Sequence, residues 1–139
     1  MRFWKIAQGV KLESPVLTRL KEKFPESILK TVEFRGELTI GVKREDIVPV
    51  CSFLRDNPEF SFNFLSDLCG VDRLGRKPRF DVVYHLYSLD KKHRLRLKVK
   101  VDEGESVPTV TSVWSSANWL EREVFDMFGV KSVSYTHLT

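Results

Sequence analysis

The stretch FDVVYHLYSLDKKHRLRLKVKV, residues 80–101, decides the fold, because both of its halves repeat with a period of two. Phe80, Val82, Tyr84 and Leu86 fall on one face of the first half, with Asp81, Val83, His85 and Tyr87 on the other. Leu95, Leu97, Val99 and Val101 then alternate strictly with Arg94, Arg96, Lys98 and Lys100. Such alternation marks a half-buried strand. A short turn at Asp90 and Lys91 sets Leu86 opposite Leu95, Tyr84 opposite Leu97 and Val82 opposite Val99; on the reverse face Asp81 meets Lys100 and His85 meets Arg96. One register satisfies both faces, so an antiparallel hairpin is predicted as the mainstay of a sheet.

Upstream, Phe60, Phe62 and Phe64 alternate with Ser61, Asn63 and Leu65, which predicts a strand running toward Cys69 and Gly70. Residues 72–78, with Gly75, Arg76 and Lys77, read as an exposed loop. Period two recurs over 28–42, where matching apolar to apolar pairs Phe34 with Leu38 and Val32 with Ile40 across a three-residue loop, Arg35, Gly36 and Glu37. Two helices interleave with these strands. Ser14 caps the first, with Pro15 at its first position and Val16, Leu17, Leu20 and Phe24 on one face until Pro25 stops it. Asp46 caps the second, Pro49 sits where a missing N–H costs nothing, and Ile47, Val50, Cys51 and Leu54 make the core stripe up to Asn57 and Pro58. The mixed pattern of the first ten residues assigns no element.

Downstream, 102–108 reads as a polar loop and 109–113 as a short strand before Trp114, after which Ser115 and Ser116 offer a cap for a last helix, ANWLEREVFDMFGV, residues 117–130. At about 100° per residue, Ala117, Leu120, Val124, Met127 and Phe128 form a core stripe. Trp119 projects opposite Phe128, beside Asp126, while Phe125 and Asn118 widen the apolar arc on the other side. Glu121, between Phe128 and Phe125, enters an apolar zone and needs a donor. Arg122 lies on the far side from Leu120, so Glu121, Arg122 and Glu123 fan outward around the stripe. Either the helix lies in a thick core with Trp119 snorkelling at its edge, or this is a subunit interface. Aromatic anchors beside charges favour the interface, which makes Trp119, Glu121, Arg122, Glu123, Phe125 and Asp126 the candidate partner-binding residues. The predicted fold class is α+β: a two-layer α/β domain with a mixed, largely antiparallel sheet, in the order α-β-β-α-β-β-β-α, packed by helices.

A chain of 139 residues suits one domain, and 42% hydrophobic with 30% charged residues is ordinary for a soluble protein. No run reaches the roughly 20 apolar residues of a membrane span, and the N-terminus lacks a signal-peptide h-region, so the expectation is a protein made and kept in the cytosol. Cys51 and Cys69 stand far apart with no CxxC and no Cys/His partner at metal spacing, and read as buried structural thiols. A net charge of +4 admits acidic partners without requiring them. The row Arg94, Arg96, Lys98, Lys100, spaced at about 7 Å, has the form of a phosphate grip. Its plainer reading is a solvated strand face partly neutralised by Asp81, since the strand shows no aromatic beside those cations. His85, His93 and His137 are scattered, Gly70 and Gly75 stand alone, and Glu121 and Glu123 diverge on a helix. No catalytic residue, cofactor, cofactor-binding site or metal site is therefore predicted.

Trp114, Ser115, Ala117, Asn118, Trp119, Glu121, Arg122, Glu123, Asp126, Phe128 and Gly129 together resemble the signature of the 30 kDa, or C-type, component of NADH:quinone oxidoreductase, respiratory complex I. The run FNFLSDLCGV, residues 62–71, and the 80–101 hairpin are similar to the same family, so the resemblance extends over about 16–130. The resemblance implies a non-catalytic subunit of the peripheral arm, without flavin, iron–sulfur cluster or quinone site, that holds the large quinone-site (D-type, 49 kDa) subunit in a proton-translocating enzyme. In a bacterium its place would be the cytoplasmic side of the inner (plasma) membrane, reached only through the complex, with no nucleic acid involved. After Lys131 the family continues through a Gly-His-Pro-Asp-Leu-Arg-Arg segment, whereas this chain reads SVSYTHLT. The expected organisation is thus a single domain over 1–130 and a truncated or foreign tail over 131–139, in which His137 does not match the family histidine. Two alternatives stand beside this reading: a homologous subunit of a membrane-bound hydrogenase or photosynthetic quinone reductase, and a nucleic-acid-binding module using Arg94 to Lys100. An enzyme of another kind ranks last.

Overall fold

The computed structural model describes residues 15–34 and 37–133. The expected cap at Ser14, the loop positions Arg35 and Gly36, and the tail positions 134–139 lie outside the described residues. In chain order the elements are α1 (Pro15–Lys23), β1 (Ile28–Phe34), β2 (Glu37–Val42), a 3-10 turn (Arg44–Asp46), α2 (Ile47–Asp56), β3 (Phe64–Asp72), β4 (Phe80–Ser88), β5 (His93–Val101), β6 (Ser106–Pro108), α3 (Ala117–Phe128) and β7 (Lys131–Val133). Five strands form one sheet in the order β1-β2-β5-β4-β3. Within it only the β2–β5 pairing is parallel, so the sheet is mixed and largely antiparallel, and three helices pack it. No described helix is long and apolar enough to cross a membrane.

The hairpin β4–β5 has the register the alternation predicts, from Leu86↔Leu95 through Val82↔Val99, with Asp81↔Lys100 and His85↔Arg96 on the reverse face. Tyr84, Leu97, Val82 and Val99 are buried in one cluster with Leu17 and Leu20 of α1 and Ile47, Val50, Cys51 and Leu54 of α2. That shared burial is what joins helix layer to sheet layer.

Four expectations are corrected. The β1–β2 register is Phe34↔Glu37, Glu33↔Leu38, Val32↔Thr39 and Thr31↔Ile40, one residue away from the apolar matching. Edge strand β1 leaves Val32 exposed and sets Thr31 opposite buried Ile40, so its apolar residues do not mark its core face. The third strand begins at Phe64, not Phe60. Phe60 and Phe62 are buried from a turn and an irregular segment, Ser61 has φ of 50°, and the Phe62 N–H bonds the Leu54 carbonyl at the end of α2. Asp46 does not cap α2 with its side chain; its carboxylate accepts from the Ser27 hydroxyl at 2.7 Å, tying the entry of β1 to α2. Finally, the strand expected over 109–113 is a set of turns, and the strand is β6, just before it.

β6 pairs in parallel with β7, Ser106↔Lys131 to Pro108↔Val133, in a separate two-stranded sheet, and the Thr109 N–H extends the ladder to the Val133 carbonyl at 2.7 Å. Residues 131–133, expected to belong to the tail, thus join the ordered structure. Val107, Val110 and Val130 around this small sheet belong to the main core cluster.

Candidate docking surface on α3

The elements that hold α3 are set by particular side chains. Trp114 is buried just before it, and its indole N–H donates to the Phe62 carbonyl at 3.0 Å. Arg55, at the end of α2, donates to the carbonyls of Ser112 and Val113 at 3.2 and 2.8 Å. Neither Ser115 nor Ser116 supplies the expected cap. Ser116 is the N-cap residue but makes no side-chain cap bond, and the first turn is closed by Ala117 N–H to Trp114 carbonyl and Asn118 N–H to Ser115 carbonyl. At the other end Gly129 takes φ of 76°, a left-handed cap whose N–H returns to the Phe125 carbonyl at 2.7 Å. Phe128 then lies against Gly70 of β3, where a β-carbon would stand 2.7 Å from the Phe128 ring.

This seating rotates the buried stripe. Ala117, Val124 and Glu121 are buried and Leu120 and Phe128 half-buried, while Met127, expected in the core, is 76% exposed. Glu121 replaces it inside, only 6% exposed. The Thr109 hydroxyl donates to its Oε1 at 2.5 Å and the Val110 N–H to its Oε2 at 2.9 Å. The need for a donor was legible in the sequence, but the donors are a hydroxyl and a loop amide, not an arginine or a helix N-terminus. Burial raises the Glu121 carboxyl above its ordinary range, and the two hydrogen bonds oppose that rise. The outward fan is corrected accordingly: Glu121 points inward and holds the 109–111 turn, leaving Arg122 and Glu123 exposed.

Among the other candidates, Trp119 is 64% exposed, opposite the buried stripe, with exposed Glu123 and Asp126 following at helical spacing. Phe125 is 43% exposed and lines, with Arg122, Asn118, Thr109, Thr111 and the β7 residues, a groove of about 390 Å³. Trp119, Phe125 and Met127 bring three large apolar side chains to solvent from one helix.

The reverse face of the sheet carries the basic row. Arg96 is ion-paired with Glu37 at 3.1 Å, Lys98 lies 4.0 Å from buried Asp81, which Arg73 also approaches at 3.6 Å, and Arg94 stacks over Tyr87. Three of the four cations are therefore engaged within the molecule, two by carboxylates and Arg94 by a ring, although Tyr87 and Phe64 do supply aromatics from neighbouring strands. The same face brings together Asp67, Cys69 and His85, whose ligand-type atoms lie within 4.8 Å of one another. Spacing along the sequence concealed this group, because its members come from two strands.

A trypsin-resistant fragment (1-134) of Nqo5 superposes with a TM-score of 0.70 at 35% identity, over 84% of this chain and 95% of the fragment, so the protein shares that α+β architecture. A profile described as respiratory-chain NADH dehydrogenase, 30 Kd subunit, matches residues 40–139, and the chain belongs to that family. The C-type component of the NADH-quinone oxidoreductase of Roseiflexus sp. (strain RS-1) is 57% identical over 116 residues, covering 83% of this chain and 67% of the relative. Its counterpart in Geobacter metallireducens is 54% identical over 114 residues, covering 81% of this chain and 69% of the relative.

Proposed function

We propose that the chain serves as a non-catalytic assembly subunit in the peripheral arm of a proton-translocating NADH:quinone oxidoreductase, acting as a single domain that docks the large quinone-site subunit. It contributes to electron transfer from NADH to quinone by positioning that partner, with no catalytic residue of its own. In a bacterium it works on the cytoplasmic side of the plasma membrane, touching lipid only through the complex. The observation that carries this reading is Trp119, exposed at 64% on the side of α3 away from the core. Aromatic anchors ringed by charge are the usual centre of an interface, and Arg122, Glu123, Phe125 and Asp126 supply that surrounding; Glu121 supports it from inside by fixing the adjoining turn. The test is co-purification. Tagged chain recovered from detergent-solubilised membranes of its host should bring the quinone-site subunit with it in near-equal amount, and recovery of the chain without other subunits of the complex would overturn the proposal.

A further inference from the structure

The strand β3 would bury a carboxylate if it were regular. Leu65 pairs with Leu86, so an unbroken antiparallel ladder would set Asp67 opposite Tyr84, on the core face. A bulge intervenes: Ser66 is the extra residue, Asp67 pairs with His85, and Leu68 takes the core position opposite Tyr84. Asp67 and Cys69, two residues apart, then project on the same reverse face as His85. The Ser66 hydroxyl donates to the His85 carbonyl at 3.0 Å and pins the bulge to β4.

We propose that Asp67, Cys69 and His85 form a binding site for a divalent transition-metal ion of the zinc type. Cys69 Sγ and His85 Nε2 are 3.7 Å apart. Bonds of about 2.3 Å to sulfur and about 2.0 Å to nitrogen at a tetrahedral angle span about 3.5 Å, so the pair is already near ligand separation. The Leu68 N–H donates to Asp67 Oδ1 at 2.8 Å, which orients the carboxylate and leaves its second oxygen for the ion. On binding, the Cys69 thiol loses its proton to solvent and a sulfur–metal bond forms; one thiolate, one carboxylate and one neutral imidazole then balance the two positive charges. Without the ion, burial and then the Asp67 charge push the Cys69 thiol up, which disfavours the alternative of a free thiolate nucleophile beside His85. The cation opposite His85 is held by another carboxylate, since the Arg96 guanidinium is ion-paired with Glu37 at 3.1 Å. Three protein ligands leave a coordination position for water or for a side chain from a docked subunit.

The experiment titrates the reduced, chelator-treated full chain with Co²⁺ and with Zn²⁺. A single equivalent of Co²⁺ should produce thiolate-to-cobalt charge-transfer absorption, and one Zn²⁺ per chain should displace it and raise the thermal midpoint. Cys69→Ser should abolish the band, and His85→Ala should weaken affinity at least about 100-fold, the upper end of what loss of an outer-shell partner does. Asp67→Asn should weaken it less, while Cys51→Ala, changing the buried thiol of α2, should leave the band intact. Circular dichroism of each variant separates loss of fold from loss of ligand. No charge-transfer band in the folded parent chain, or a band that survives Cys69→Ser, would overturn the site.

Discussion

Glu121 shows how a single carboxylate fixes the orientation of a helix. In place of a methionine it occupies the buried stripe of α3, because two donors from the 109–111 turn are waiting there. Its burial raises its carboxyl, so the native state holds the proton more tightly than the unfolded chain. The associated stability is fully present below the ordinary glutamate range and is lost as pH rises through the raised native value. Glu121→Gln keeps an acceptor for the Val110 N–H and removes the charge. Urea midpoints at a series of pH values should show the parent chain losing ground to this variant as pH climbs from the ordinary glutamate range toward neutrality. Glu121→Ala removes both acceptors and should cost about 1–3 kcal/mol at any pH where the protein folds, the penalty of leaving a buried amide unpaired. Tyr84 presents the opposite case. Its hydroxyl is fully buried on the core face of β4 and has no hydrogen-bond partner among the described residues. Tyr84→Phe should therefore stabilise the protein by about 1 kcal/mol in chemical denaturation.

At the level of elements, α3 is seated by a missing side chain as much as by those present. Gly70 on β3 admits the Phe128 ring, which also meets Phe80 with ring centres 5.9 Å apart. Gly70→Val should displace that ring and cost about 1–3 kcal/mol, with faster amide exchange at Phe128 and Gly129 as the local readout. This contact had no signature in the sequence, where Gly70 was one isolated glycine. The β4–β5 hairpin was legible to the residue because two opposed faces constrained one register. β1 was not: as an edge strand it exposes Val32 and Leu29, so apolar matching selected the wrong pairing by one residue. β6 and β7 are three residues each, too short to display a period, and β6 ends in a proline. The Asp67, Cys69, His85 group was hidden for a related reason. It depends on the bulge at Ser66, and a one-residue irregularity decides which face every later side chain of β3 takes.

For the whole molecule, folding and docking use different sides of α3. Its inner side carries Ala117, Glu121 and Val124 into the shared core, whereas Trp119, Glu123 and Asp126 contribute nothing to it. That division allows the docking proposal to be tested without confusing binding with stability. Trp119→Ala removes an indole that is mostly exposed and stands outside the core cluster, so the stability of the isolated chain in urea should change by less than about 0.5 kcal/mol. If Trp119 is the anchor, affinity for the quinone-site subunit should fall by at least about 2 kcal/mol in a titration of purified components. A matched control on the reverse face is Phe64→Ser, since Phe64 is also a large exposed apolar residue but lies on β3, beneath the sheet. Docking through α3 requires Trp119→Ala to weaken binding and Phe64→Ser to leave it unchanged. The reverse outcome would move the interface to the basic face of the sheet, where Arg94 and Tyr87 would become the groups to mutate. Equal loss of monomer stability in Trp119→Ala would instead assign the indole a packing role.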